Sequence, residues 1–278
     1  MISQFIVAVS IADIRRDPNP ESELVTQALM NVPVVAGKIA GEWTHVTLSD
    51  YSGWILTSQM ETPIVKGYCE GEGTCGVPLP HSVVVTVPHA PLYLHEKGEE
   101  IQGELYLSTA LPYIDLAHPQ RVRVALSGNK EGWLAQENIE VHDNNELFPK
   151  QSIPVVTSYA KEFLGVPYLW GGTSWRGLDG SGLVQLCYRM GGYILPRDAY
   201  QQHDALSQNV QREELQPGDL IFFGRERITH VALALNKYEY VHAEGENYNQ
   251  VMISSLDPHH PAYHSSLAEV IRAIKRVM

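Results

Sequence analysis

Cysteine is scarce in this chain. It has three in 278 residues, Cys69, Cys75 and Cys187. That number excludes a disulfide-built scaffold and a cysteine-built zinc site. Basic residues are also few: 20 Lys and Arg against 32 Asp and Glu, giving a formal charge of -12 and a pI near 5.4. A nucleic-acid binder needs clustered cations for its phosphate contacts, so no nucleic-acid partner is expected. No apolar run approaches the ~20 residues that cross a bilayer, and no membrane partner is expected either. The opening MISQFIVAVSIADIRRDP lacks a basic segment before an apolar core. It reads as a first strand rather than a signal peptide, which predicts a cytoplasmic protein. What is present is a globular composition, 44% hydrophobic with 14 Tyr and 5 Trp, long enough for one large domain or several small ones.

The negative charge is uneven. Residues 1–150 carry 9 basic and 19 acidic side chains, and residues 151–278 carry 11 and 13. The first part reads as β-structure, with alternating runs at 5–15, 33–48 and 52–60, then at 81–94, 103–116, 121–126 and 131–140, separated by Gly, Pro, Asp and Asn. The two sets match loosely at a shift of 79 residues, which lays Gly53-Trp54 on Gly132-Trp133. A unit of roughly 60 residues has been duplicated. Each glycine is expected to let the chain turn while the tryptophan covers a barrel. Trp43, Trp54 and Trp133 are accordingly read as barrel core. Between the copies, GYCEGEGTCG holds four glycines in ten residues and reads as a linker with two free thiols.

From about residue 150 the pattern changes. IPVVTSYAKEFLG (153–165) has helical spacing and a terminal glycine. DGSGLVQLCYRMGG (179–192) predicts a helix with Asp179 at its cap, an apolar stripe of Leu183, Leu186, Cys187 and Met190, and a glycine stop. LPRDAYQQHDALSQ (195–208) is a shorter helix after Pro196. Strand-like runs follow at 219–224, 230–235, 238–245 and 250–256, and 269–277 fits a last strand with helix as competitor. Helices first and antiparallel strands after them make an α+β domain. The boundaries read as 1–66, a linker at 67–80, 81–145 and 150–278.

His230 opens one strand and His242 lies on the next, twelve residues later, so both can face the start of the helix at Asp179. A base, an orienting group and a helix N-terminus that stabilises an anion make the layout of nucleophilic catalysis. The nucleophile itself is missing, because position 180 is glycine. DPHHPAYH, with His259, His260 and His264, reads as a Pro-bounded surface loop rather than a metal tract, and neither a metal nor a cofactor is expected.

Taken together, YLWGGTSWRGLDGSGLVQ, LPRDAYQQ, LQPGDLIFFG, ITHVALAL and YVHAEG resemble the NlpC/P60 family of cell-wall cysteine peptidases. They are specifically similar to γ-D-glutamyl-L-diamino-acid endopeptidases of the dipeptidyl-peptidase VI type, which carry two bacterial SH3 domains. The resemblance implies an α+β, papain-like catalytic domain preceded by two small all-β SH3-like barrels. The family's Asp-Cys-Ser-Gly falls on Asp179, Gly180, Ser181 and Gly182, so Gly180 takes the place of the nucleophilic cysteine. By the same resemblance His230 is the general base and His242 its orienting partner, while Tyr168 helps form the oxyanion hole. Trp170, Asp179 and Ser181 line the cleft, with Asp179 receiving the substrate's free α-amino group. Glu23 and Tyr51 match the acidic and tyrosine residues through which the first SH3 domain restricts the cleft to peptides with a free L-Ala. Arg197 and Asp198 either border the cleft or start a helix. The implied partner is a small muropeptide such as L-Ala-γ-D-Glu-diaminopimelate, or its L-Lys counterpart, bound by a monomer.

Glycine supplies no thiolate, and Cys187 lies seven residues along the helix, about 10 Å away. Attack needs contact near 3–3.5 Å, roughly. The chain as written is therefore expected to be inactive. An engineered replacement and a natural pseudoenzyme that binds or senses muropeptides both account for it.

Overall fold

The computed structural model describes residues 3–63, 80–118 and 120–278, with the side chains of 3 and 116–118 left out. Cys69, Cys75 and most of the expected linker lie outside these residues. The chain divides into two compact units, Met1–Leu147 and Phe148–Met278.

The N-terminal unit is two copies of one strand order. The first contains β1 (Ser3–Val7), β2 (Ile11–Arg15), β3 (Leu24–Leu29), β4 (Pro33–Ala40), β5 (Trp43–Thr47), β6 (Ser52–Leu56) and β7 (Met60–Glu61). The second contains β8 (His81–Val85), β9 (His89–Tyr93), β10 (Ile101–Tyr106), β11 (Ala110–His118), β12 (Arg121–Leu126), β13 (Lys130–Ala135) and β14 (Ile139–Asp143). The sheets run β3-β2-β6-β5-β4-β1-β7 and β10-β9-β13-β12-β11-β8-β14, so each strand of one has its counterpart in the other. Alternating residues fill each interior: Val7, Ile14, Val34, Val46 and Ile55 in the first, Val83, Leu92, Leu105, Val124 and Leu134 in the second. The run at 5–15 breaks into two strands, with Val9 packing on the core between them. Asn31 Nδ2 donates to the carbonyl of Ala110 at 2.9 Å and ties one copy to the other.

The Gly-Trp pairs do not turn the chain. Gly53 and Gly132 sit inside β6 and β13, where a Cβ would stand 2.7 Å from the Arg15 carbonyl oxygen or 2.6 Å from Leu92 Cδ1. They are glycine because a neighbouring strand comes too close for any side chain. Trp54 beside Gly53 is buried, whereas Trp43 and Trp133 are only half-buried.

The C-terminal unit starts with α1 (Ile153–Glu162), which packs on α2 (Gly180–Met190); α3 (Ala199–Ala205) follows. Between α1 and α2 the short strands β15 (Thr173–Ser174) and β16 (Gly177–Leu178) form a ribbon. A six-stranded antiparallel sheet completes the unit. Its strands are β17 (Gln208–Asn209), β18 (Leu220–Phe223), β19 (His230–Ala234), β20 (Glu239–Glu244), β21 (Gln250–Ser255) and β22 (Ile271–Arg276), in the order β17-β22-β18-β19-β20-β21. A single turn, α4 (Ser265–Ala268), precedes β22. Helices packed against an antiparallel sheet are the α+β arrangement, here after two all-β barrels. The buried stripe of α2, Leu183, Leu186, Cys187 and Met190, packs it onto α1, β19 and β20, which carries the start of α2 to the two histidine-bearing strands.

Candidate active site

Residue 180 is the first residue of α2, and the cap before it is held from several directions. Asp179 Oδ1 accepts from the Gly182 N–H at 2.7 Å, from Ser181 Oγ at 3.2 Å and from Arg197 Nη1 at 3.0 Å. Its Oδ2 accepts from the Gly171 N–H at 2.8 Å and from Arg197 Nη2 at 2.7 Å. Arg197 is 1% exposed and also donates to Ser181 Oγ at 3.0 Å and to the Gly172 carbonyl at 3.4 Å. A carboxylate offers about four lone-pair sites, and five donors already converge on this one. An amine bound here would have to share a saturated group. Arg197 is buried against Asp179 and Ser181. Asp198 occupies the N-cap position of α3, with its N–H donating to Gln201 Oε1 at 3.0 Å.

His230 is the partner of position 180. A Cβ built on Gly180 would lie 2.7 Å from His230 Cε1, 2.8 Å from its Nδ1 and 2.9 Å from the Val231 carbonyl oxygen. The Nδ1 edge of the imidazole thus faces the residue that the family's chemistry would use. The other edge, Nε2, lies 3.1 Å from His242 Nδ1, and His242 Nε2 lies 3.0 Å from Ser254 Oγ. His242 and Ser254 are each 1% exposed. Burial lowers the pKa of His230 to about 4, against the opposing pull of Asp179 and Glu244. Burial also lowers His242 well below the ordinary histidine range, with His230 and His264 adding to the effect. Both imidazoles are neutral at neutral pH, and a base must be neutral to take up a proton.

Tyr168 stands on the other side. Its N–H donates to the Asn249 carbonyl at 2.9 Å, and it bridges to Leu178, the residue before Asp179. Its ring lies directly on Gly245, where a Cβ would be 2.8 Å from the ring. Burial, with Asp179 adding, raises its pKa to about 12, so the phenol stays a proton donor. The 245–249 loop is organised by Glu244, whose carboxylate accepts from the N–H groups of Glu246, Asn247 and Tyr248. Burial alone would raise its pKa, yet these backbone donors hold it below the ordinary range. Trp170 is exposed at 58% next to Gly171.

Sequence reasoning named the Gly180, His230 and His242 positions, which the fold brings together, and Tyr168, whose backbone bridges to Leu178. It did not find Ser254 or Glu244. Glu23 and Tyr51 belong to the N-terminal unit, where Glu23 pairs with Arg16 at 2.7 Å and Tyr51 packs on the first barrel. His264 caps α4, and its ring centre is 5.9 Å from that of His242. Cys187 is fully buried, and burial pushes its thiol pKa up, the reverse of a reactive cysteine. Among the described residues no group of three or more His, Cys, Asp or Glu side chains is placed to hold a metal, and no helix is long and apolar enough to cross a membrane.

In the C-terminal unit the N-terminus of α2 faces His230, which is bonded in turn to His242. The NlpC/P60 family matches residues 165–270 and the bacterial dipeptidyl-peptidase SH3 domain matches residues 14–60, and the chain carries both domains. It is 29% identical over 238 residues to a γ-D-glutamyl-L-lysine dipeptidyl-peptidase of Bacillus cereus, covering 80% of this chain and 68% of the relative. It is 28% identical to dipeptidyl-peptidase 6 of Lysinibacillus sphaericus, covering 97% of each. The solved structure of an NlpC/P60 family protein from Bacillus cereus superposes with a TM-score of 0.82 over 99% of both chains at 24% identity, which is a likeness of fold.

Proposed function

We propose that this chain is the framework of a γ-D-glutamyl-diamino-acid peptidase in which glycine holds the nucleophile's position. On this reading it binds small murein peptides with a free L-Ala amine and does not cleave them. The observation that carries the reading is Gly180 itself, the first residue of α2, with His230 Nδ1 directed at it.

With cysteine at 180, His230 Nδ1 takes the thiol proton, and the helix N-terminus favours the resulting thiolate. The thiolate attacks the γ-D-glutamyl carbonyl. Backbone N–H groups of the first turn, which the helix cannot itself satisfy, and the Tyr168 phenol donate to the oxyanion. His230 then returns a proton to the diaminopimelate or lysine amine as it leaves, and water releases the acyl group. Glycine removes the reacting atom and leaves these donors in place. The contact to the peptide's flank is assigned to Trp170 and Ser181. A free L-Ala amine belongs to a peptide already detached from glycan, which fits recycling of wall fragments.

The test is turnover of L-Ala-γ-D-Glu-diaminopimelate by this chain and by Gly180→Cys. Activity in the cysteine form alone supports the reading, and equal rates sink it. A second reading, a natural muropeptide binder, is favoured by one detail: the imidazole stands where a Cβ at 180 would clash, as in a site settled around glycine. Calorimetric binding of the tripeptide, abolished by acetylating its amine, with no turnover by Gly180→Cys, would support that version.

A further inference from the structure

The hydrogen bonds from His230 to His242 to Ser254 can run in two directions. In one, His230 Nε2–H donates to His242 Nδ1, and His242 Nε2–H donates to Ser254 Oγ. The lone pair of His230 Nδ1 then faces residue 180. In the other, the Ser254 hydroxyl donates to His242 Nε2, His242 Nδ1–H donates to His230 Nε2, and His230 Nδ1 carries a proton toward the helix. The distances of 3.1 and 3.0 Å allow both. Only the first leaves His230 able to act as a base.

Two observations choose between them. The first turn of α2, an eleven-residue helix, ends at Nδ1, and a helix N-terminus carries partial positive charge. A lone pair there is stabilised and an N–H is repelled. Among the described residues no hydrogen-bond acceptor is bonded to His230 Nδ1, so an N–H on that edge would lack a protein partner, whereas His242 Nε2–H has Ser254. No carboxylate is hydrogen-bonded to either ring among the described residues. His242 stands where triads of other folds place an acid, and Ser254 lies one group further out.

We infer that Ser254 is a positioning residue: its hydroxyl accepts the His242 Nε2–H and so fixes the tautomer of both histidines, which keeps His230 Nδ1 as the base. The strand register makes this possible. Ser254 of β21 is paired with Tyr240, two residues from His242 on β20, so the hydroxyl lies diagonally across from the ring. The other groups facing His242 are the Tyr240 ring at 5.2 Å on its own strand, His230 on β19 and His264 at the start of α4. Asp179 and Glu244 act on His230. The catalytic meaning rests on the peptidase reading, but the tautomers belong to the chain as it stands.

The experiment is a long-range proton–nitrogen NMR correlation of the histidine rings in the ¹⁵N-labelled chain at pH 7.5. Both His230 and His242 are expected in the Nε2–H form. Ser254→Ala should move His242 toward Nδ1–H, with Ser254→Thr restoring the original pattern. In the Gly180→Cys background Ser254→Ala should lower kcat about 10²-fold with KM within roughly twofold, short of the ~10⁴ of a fully wrong tautomer. An Nδ1–H form of His242 in the unaltered chain, or tautomers unmoved by Ser254→Ala, overturns the inference. If Ser254→Ala fails to fold, the spectrum of the unaltered chain still decides. If the tautomers are as expected while Gly180→Cys does not turn over, the peptidase reading fails and the Ser254 assignment stands.

Discussion

Adding one carbon at position 180 separates what glycine does for packing from what it removes from chemistry. In Gly180→Ala the new Cβ meets His230 Cε1 at 2.7 Å, Nδ1 at 2.8 Å and the Val231 carbonyl oxygen at 2.9 Å. The imidazole can retreat only by disturbing its bond to His242, and the carbonyl belongs to β19. Overpacking of this kind costs about 1–3 kcal/mol. Replacing glycine in a helix returns up to about 1 kcal/mol, and less in a first turn. The balance is a loss on the order of 1–2 kcal/mol. For a unit of this size that is a fall in Tm of roughly 4–8 °C, read by calorimetry on the C-terminal unit's transition. Gly180→Cys should lose about the same stability, because the Cβ is common to both, and only the cysteine form should gain activity. The His230 Cε1–H resonance should move in both. An alanine form as stable as the glycine chain, with that resonance unmoved, would refute the claim that His230 packs against residue 180.

Further outcomes follow from neighbouring contacts. Arg197→Leu leaves the Asp179 carboxylate without its cation and should cost about 3–5 kcal/mol in urea unfolding; a loss below about 1 kcal/mol would mean that the backbone donors alone suffice. Gly182→Ala should destabilise the unit strongly, because a Cβ there collides with the Gly172 carbonyl oxygen; an unchanged melting curve would contradict that packing. The depressed pKa of His230 makes the unfolded chain the better proton binder between about 4 and 6.5. Its contribution is therefore full above pH 6.5 and lost as pH falls toward 4, on the order of 3 kcal/mol. His230→Gln should flatten that part of the stability-versus-pH curve, and an unchanged slope would show that carboxylates alone set it.

The start of α2 was legible because it is local. Asp179 accepts from Gly182 as a cap, the stripe from Leu183 to Met190 has helical spacing, and Gly191 and Gly192 end it, the latter at φ +75°. The ambiguous EVIRAIKRV became a strand because β22 lies between β17 and β18, a partnership that no local propensity states. Ser254 was hidden for the same reason. Its approach to His242 depends on register, and a slip of one residue would turn it to the opposite face. Arg197 reads in sequence as a cleft-border or helix-start residue, and because arginine is seldom buried only the fold shows it against the carboxylate that permits burial. The role of Gly53 and Gly132 was misread as turning, since close approach by a distant strand leaves no mark next to the glycine.

Two adjacent copies of one strand order pose a problem during synthesis. Each strand has a counterpart in the neighbouring barrel that could take its place, and tandem domains of like topology are prone to such exchange. Counterpart strands of the two copies differ in length. β4 is 8 residues where β11 is 9, and β7 is 2 where β14 is 5, so a swapped strand would be out of length. Loss of resemblance between the copies thus guards the fidelity of assembly, and grafting one barrel's middle strand into both is the change that should produce swapped, misassembled chains.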